Sequence, residues 1–396
     1  MSLRRGIALA PVLAGALAVS AHAGVLDGWA VEQPRAQLGD WTVSLGADLS
    51  GAVFASHQDG GIDQTGVQSF AVFTPSLSRS FPDGWEVGAK GSLLAWHDNH
   101  SGDNYGNDVF ELAYLYVQSP YGRIEIGQQN GVAYTQSVGA PVVDGPAAIN
   151  DANVTFFEDP ATGLAFIGIF NLRTGVFTSA NQAKVSYISP RFDGLQISGS
   201  FTPYQTKAVL PWTMTGHHVP NRVKNIVEGN LNYTRQSGAW SFQASTSFGV
   251  AQNAAPTAGH DDVWDWGAGV ETDYALSDDS KLSLGAAYRI SNAYTFNVQQ
   301  AFSSGTTSNV DVGAMWTAGD WIAGVEYENG IADAVPGAPR LRERGWNPSI
   351  AYNMNQNLQL TLGWQYLHFS QSSGVFYNGD SKIAMHAAYL HMNVQI

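Results

Sequence analysis

From Ser280 to Ile290 the chain alternates without a break. Leu282, Leu284, Ala286, Tyr288 and Ile290 share one parity, and Lys281, Ser283, Gly285, Ala287 and Arg289 the other. Successive side chains of a β-strand point to opposite faces, so this segment has one apolar surface and one polar surface. The pattern recurs roughly sixteen times, in segments of about ten residues. The strands it predicts are 41–56, 69–81, 84–97, 109–119, 121–128, 182–190, 194–203, 222–236, 238–250, 262–275, 280–292, 308–318, 320–330, 345–354, 356–370 and 381–396.

Short connections carry turn chemistry, as in Pro82-Asp83-Gly84, Ser119-Pro120-Tyr121-Gly122 and Arg191-Phe192-Asp193-Gly194. They alternate with long polar connections at 57–68, 98–108, 129–181, 204–221, 251–261, 293–307, 331–344 and 371–380. Strands wet on one face, with loops sorted by length to two ends, describe an all-β fold. It is a 16-stranded antiparallel transmembrane barrel with short periplasmic turns, long extracellular loops and a wet lumen. A soluble sandwich has no cause to sort its loops, and its strands are shorter, about 5–6 residues.

Parity assigns the faces. Trp321, Ala323, Val325 and Tyr327 point outward with Val312, Trp316, Leu362 and Trp364; Glu326, Glu328, Asp311, Thr317, Thr361 and Gln365 point inward. A basic residue on the lipid face costs about 2–4 kcal/mol at mid-depth, which enforces the division. Aromatic residues near strand ends suit interfacial girdles, and Trp41, Trp85, Tyr114, Tyr116, Tyr233, Trp240, Trp264, Trp316, Trp321 and Trp346 are assigned there.

Composition agrees with a lipid-facing wall. Only 13% of residues are charged, yet mean hydropathy is −0.12. A soluble domain of this length needs more surface charge, whereas a barrel can line its bore with Ser, Thr, Asn, Gln and Gly. With 33 acidic and 19 basic residues the net charge is −14, which argues against nucleic acid and suits a passage that tolerates cations. There is no cysteine, so cohesion falls to the hydrogen-bonded sheet and the surrounding lipid.

The first residues read as an export signal, residues 1–23. Arg4 and Arg5 precede an apolar run from Ile7 to Val19 and a small-residue cleavage site at Ala21-His22-Ala23. No later run approaches the ~20 apolar residues of a transmembrane helix. Residues 24–40 do not read as a strand and form an N-terminal extension; the barrel domain spans 41–396.

Two stretches carry a family resemblance. One is Ser119-Pro-Tyr-Gly-Arg-Ile-Glu-Ile-Gly-Gln-Gln129; the other is Lys184-Val-Ser-Tyr-Ile-Ser-Pro-Arg-Phe-Asp-Gly-Leu-Gln-Ile-Ser-Gly-Ser-Phe201. Flanking a long loop within this strand pattern, they make the chain resemble the general-diffusion porins of Gram-negative outer membranes. The resemblance implies a homotrimer in the outer membrane, in contact with its lipids and lipopolysaccharide. Each barrel would carry its own pore for passive diffusion of small hydrophilic solutes and ions. It also implies that the third loop folds into its barrel, with acids on the loop facing bases on the wall. The end departs from the family: Leu390-His-Met-Asn-Val-Gln-Ile396 closes on Ile where members close on an aromatic residue, usually Phe.

The connection 129–181 far exceeds the roughly 12–15 residues beyond which loops are usually functional or disordered. Its acids Asp144, Asp151, Glu158 and Asp159 are the candidate constriction residues, and Phe156, Phe157 and Leu164 indicate that part of it is packed. Wall candidates by parity are Lys90, Arg123, Glu125, Arg222 and Lys224; Arg79 shares parity with Phe73 and Leu77 and belongs at the interface. Two readings stand for these charges. They are solvated lumen groups paired with neighbours, or they set a transverse field that gives a weak cation preference.

Other functions have less support. A sugar-selective channel would use an aromatic slide such as Trp96, Tyr204 and Trp212, but such channels usually have more strands. An outer-membrane hydrolase would have to build its site from His386 or His391 near serines, and a purely structural barrel has no use for so long a third loop. No nucleotide loop, zinc motif or nucleophile elbow occurs, so neither cofactor nor enzyme activity is assigned. His97 and His100 read as surface residues, and Asp98, Asp103 and Asp108 as ligands for divalent cations shared with lipopolysaccharide phosphates.

Overall fold

The computed structural model describes residues 31–60, 62–98, 110–150, 156–159, 164–165, 174–204, 223–253, 261–292, 305–333, 339–373 and 381–396. The first five barrel strands are β1 (Trp41–Gln58), β2 (Ile62–Ser80), β3 (Glu86–Asp98), β4 (Phe110–Ser119) and β5 (Gly122–Gln128). After the long third loop come β6 (Ala183–Ile188), β7 (Leu195–Tyr204), β8 (Val223–Ser237), β9 (Trp240–Asn253), β10 (Val263–Ser277) and β11 (Ser280–Ser291). The last five are β12 (Thr307–Ala318), β13 (Trp321–Ala332), β14 (Leu341–Asn353), β15 (Leu358–Gln371) and β16 (Lys382–Gln395). Each pairs antiparallel with its neighbours in sequence, and β16 returns to β1, from Met385↔Gln58 to Gln395↔Asp48. The sheet is a closed sixteen-stranded barrel. Closure satisfies the backbone groups that lipid cannot.

All sixteen predicted strands are present; the clearest shifts are at β2, expected from 69 and starting at Ile62, and at β14, expected from 345 and starting at Leu341. The connection expected over 57–68 shrinks to a turn at Asp59-Gly60, because β1 and β2 stay paired from Thr42↔Ser78 up to Gln58↔Ile62. Part of the stretch 24–40 is also a strand: Arg35–Leu38 forms a hairpin with the start of β1 through Gly39-Asp40. The C-terminal Ile396 extends the ladder, exchanging both backbone hydrogen bonds with Ala47 at 2.9 and 3.1 Å. The export signal 1–23 lies outside the described residues.

The short turns follow their residues. At Asp193-Gly194 both positions have positive φ (50° and 87°), and Phe192 and Leu195 exchange two backbone hydrogen bonds. That geometry matches the twist of the flanking strands, and glycine adopts it without steric cost.

Side-chain burial is inverted relative to a soluble domain. Leu115, Ile197 and Leu362 are more than half exposed on the outer wall, while Asp311, Glu328 and Thr361 are buried inside. The assigned parities hold through β12, β13 and β15. Tyr114 and Tyr116 are corrections: they face the lumen, because Leu115 and Val117 between and beside them take the outer face. Among the described residues no helix is long and apolar enough to cross a membrane.

Candidate functional site

The third loop lies inside the barrel, laid against one half of the wall. Its path begins with a single helical turn, Val132–Thr135, and runs under β8 to β16. Inward glycines make room for it. A Cβ on Gly285 would come within 2.7 Å of Pro141 Cδ, and one on Gly324 within 2.8 Å of Val143 Cγ2. Gly269 and Gly313 sit as closely beneath the carbonyl oxygens of Val138 and Pro141. A glycine inside a strand often marks such a close backbone approach, and here it recurs from strand to strand.

Wall side chains then receive the loop's backbone. The Val138 N–H donates to Ser245 Oγ at 2.7 Å, and Asn347 Nδ2 donates to the Ala147 carbonyl at 2.9 Å. Glu326 accepts from the N–H groups of Ile149 (2.9 Å) and Asn150 (3.1 Å), and Asp311 accepts from Asn150 Nδ2 at 2.7 Å. At the far root, Glu228 accepts from the Ser179 N–H and hydroxyl, both at 2.7 Å, and Lys184 donates to Ser179 Oγ at 2.6 Å. A buried carboxylate is costly unless it is hydrogen-bonded, and these wall acids are used as fasteners. Apolar contacts add to them: Phe156 stacks on Tyr389 with ring centres 4.9 Å apart and lies 5.1 Å from Phe54.

Toward β2, β3 and β4 the loop leaves a cavity of about 630 Å³, which also reaches Asp48 of β1. Its wall side carries Asp48, Phe70, Val72, Thr74, Leu94, Glu111 and Leu112; its loop side carries Tyr134, Val138, Pro146 and Ala148 among others. Neither Asp48 nor Glu111 has a basic partner within ion-pair distance among the described residues.

The predicted site residues are distributed as follows. Asp144 is buried against the wall, its carboxylate 2.7 Å from His391 Nδ1, and His391 Nε2 in turn meets Ser50 Oγ. These three groups form a row of hydroxyl, imidazole and carboxylate, but all are more than nine-tenths buried and none lines the cavity. Asp151 lies outside the described residues. Glu158 and Asp159 form a two-residue strand paired with Leu164–Ala165. Lys90 stands opposite Tyr114 in the lumen, next to Arg123 and Glu125, which pair at 2.6 Å. The Arg123 guanidinium also lies 3.9 Å from the centre of the Tyr116 ring, and Tyr116 donates to Glu86 at 2.8 Å.

Arg222 lies outside the described residues. Lys224 sits near the loop end of β8, opposite Tyr204 and Gln252, beside a bulge where Asn225 takes φ 51°. Arg79 is at the turn end, paired with Asp40 at 2.6 Å. Of the suggested aromatic slide, Trp212 is outside the described residues and Tyr204 is exposed at the end of β7. His386 faces outward among Trp364, Tyr366 and His57.

Sequence reasoning missed three things: the glycine bed, the wall carboxylates as loop fasteners, and the apolar patch of Phe70, Val72, Leu94 and Leu112. The first was detectable as glycines of inward parity on successive strands. The last was hidden in the run Phe70-Ala71-Val72-Phe73, whose two faces are equally apolar.

A family model described as Gram-negative porin matches residues 8–372. No curated protein matches the chain. Several solved structures share the fold. The outer membrane channel DcaP of Acinetobacter baumannii matches with a TM-score of 0.56 and 14% identity, over 90% of this chain and 97% of that one. An anion-selective porin from Comamonas acidovorans matches at 0.53 and 13%, over 90% and 100%. The trimer form of OmpT, an outer membrane protein of Vibrio cholerae, matches at 0.53 and 11%, over 90% and 100%. At these identities the likeness concerns fold alone.

Proposed function

We propose that this chain, which belongs to the Gram-negative porin family, is a diffusion channel of the outer membrane with a weak preference for cations. The observation that carries the sign is the pair Asp48 and Glu111 at the cavity beside the inward loop, with no basic group paired to either among the described residues. The lumen bases on that side are offset: Lys90 and Arg123 stand with Glu125 and Glu86. Field at the narrowest point governs selectivity more than net charge does. The fold does not decide the matter, since the anion-selective porin from Comamonas acidovorans has the same architecture.

A reversal potential across a KCl gradient in planar bilayers tests this reading. Cation preference is expected to fall in Asp48→Asn/Glu111→Gln; a reversal potential favouring chloride in the native protein would falsify it. The same measurement on Asp151→Asn/Glu158→Gln tests the loop acids, and an unchanged value removes them from the constriction.

Assembly as a homotrimer is supported by an asymmetry of the outer wall. Among the described residues, outward tryptophans such as Trp240, Trp264, Trp316, Trp346 and Trp364 fall on β9 to β15. The outer face of β1 to β6 offers Leu45, Val53, Leu115, Ile124 and Ile126, with Trp41 and Trp85 at its turn end. Tryptophan belongs where a wall meets the lipid interface, so an apolar outer face that carries its tryptophans at one end only is the side left for a second copy of the wall. Lipid contact is supported at the loop end, where Arg342, Arg344, Lys382, His368, His386 and His57 face outward on four adjoining strands. That patch matches phosphorylated glycolipid headgroups such as those of lipopolysaccharide.

A further inference from the structure

We propose that the passage favours amphipathic organic monocations, ammonium ions with an apolar body, over polar cations of equal charge and similar bulk. This rests on the channel reading above and assigns the solute class of that same passage.

The first observation is an apolar patch where a wet lumen has no need of one. On β2, Phe70 and Val72 stand opposite Ser50 and Asp48 of β1, on the inward face. Leu94 and Leu112 join them at the cavity from β3 and β4. Other inward apolar residues, such as Phe54, Phe369 and Met385, are buried under Phe156 and Phe157 of the loop, and many remaining inward positions are polar, as at Gln68, Ser198, Asn230, Ser247 and Thr361. Across the gap the loop presents Tyr134 and Val138, so an entering solute meets apolar side chains on two sides.

The second observation is the placing of charge. Asp48 adjoins Val72 by register, and Glu111 adjoins Leu112 in sequence. Each carboxylate thus borders the patch, and neither is paired to a base among the described residues. Apolar surface leaving water gains free energy in proportion to its area, so a solute body that can cover Phe70, Val72 and Leu112 is retained. Its ammonium group then lies within reach of a carboxylate, with the faces of Phe70 or Tyr134 as further cation acceptors. A polyhydroxylated body loses water there and finds few hydrogen-bonding partners in return.

The test uses the full-length protein reconstituted in planar bilayers, with K+ current recorded in KCl. Phenethylammonium and glucosammonium, of equal charge and comparable bulk, are added in turn, and the half-blocking concentration of each is read. Phenethylammonium is expected to block at a concentration lower by roughly fivefold or more. Val72→Ser and Leu112→Ser should bring the two values together, and Glu111→Gln should raise both. Equal half-blocking concentrations in the native protein, or glucosammonium as the stronger blocker, overturn the proposal without recourse to any variant. So does a ratio that both serine variants leave intact. A bilayer that stays silent in KCl alone overturns the channel reading itself, whereas a conducting pore that fails to distinguish the two amines overturns only this inference.

Discussion

Asp144 Oδ2 lies 2.7 Å from His391 Nδ1, joining the inward loop to the last strand of the barrel. Both side chains are buried, so the contact is shielded from water and salt. It works with Glu326 and Glu228 to fix the loop at points spread along its length.

His391→Ala should leave the Asp144 carboxylate buried and unbonded, destabilising the barrel by about 1.5–3 kcal/mol. Asp144→Asn keeps an oxygen for the ring N–H and should cost less. The readout is the temperature at which the folded barrel ceases to resist detergent, with His391→Ala expected lower. Identical temperatures for native protein and both variants would refute the fastening role.

Gly313 lies beneath Pro141, and a side chain there has nowhere to go. Gly313→Leu should push the loop away from the wall and toward the cavity, lowering single-channel conductance. Ala314→Leu, whose side chain takes the opposite face, is the comparison and should leave conductance close to native. Equal conductance in the two variants counts against the glycine bed.

Arg289 and Asp265 form a buried pair at 2.7 Å on neighbouring strands, close to Thr178 of the loop. Arg289→Leu leaves an unpaired carboxylate in the bore and is expected to cost about 3–5 kcal/mol. The double variant Arg289→Leu/Asp265→Leu should recover much of that loss in chemical unfolding. Absence of recovery would show that the arginine matters through other contacts.

The outward basic patch predicts lipid retention. Arg344→Glu/Lys382→Glu should reduce the phosphorylated glycolipid that copurifies with the barrel, measured as phosphate per protein, while leaving channel conductance in defined lipid unchanged. Undiminished phosphate would exclude the patch as the contact.

The barrel was legible because lipid and water impose a two-residue period that no other fold sustains so long. Where polar residues fill both parities the period vanishes, and the extension of β2 across Ile62 to Gln68 was read as loop for that reason. Tyr114 and Tyr116 were misplaced because residue type was allowed to outweigh their parity, opposite to that of Leu115 and Val117. Lys224 was placed on the inward face by parity, and the bulge beside it interrupts the alternation on which that placement relied. The loop's acids were visible, but their partners were not. His391 follows Asp144 by 247 positions, and only closure of the ring brings the two together.

That closure also decides when the sheet loses its last open edge. The strand at Trp41–Gln58 finds one of its two barrel neighbours only in Lys382–Gln395, at the far end of the chain's strand order. Until the two meet, the edge of Trp41–Gln58 offers unsatisfied backbone amides and carbonyls to any other strand. A chain lacking Lys382–Gln395 would have no partner for Asp48–Gln58 along that edge.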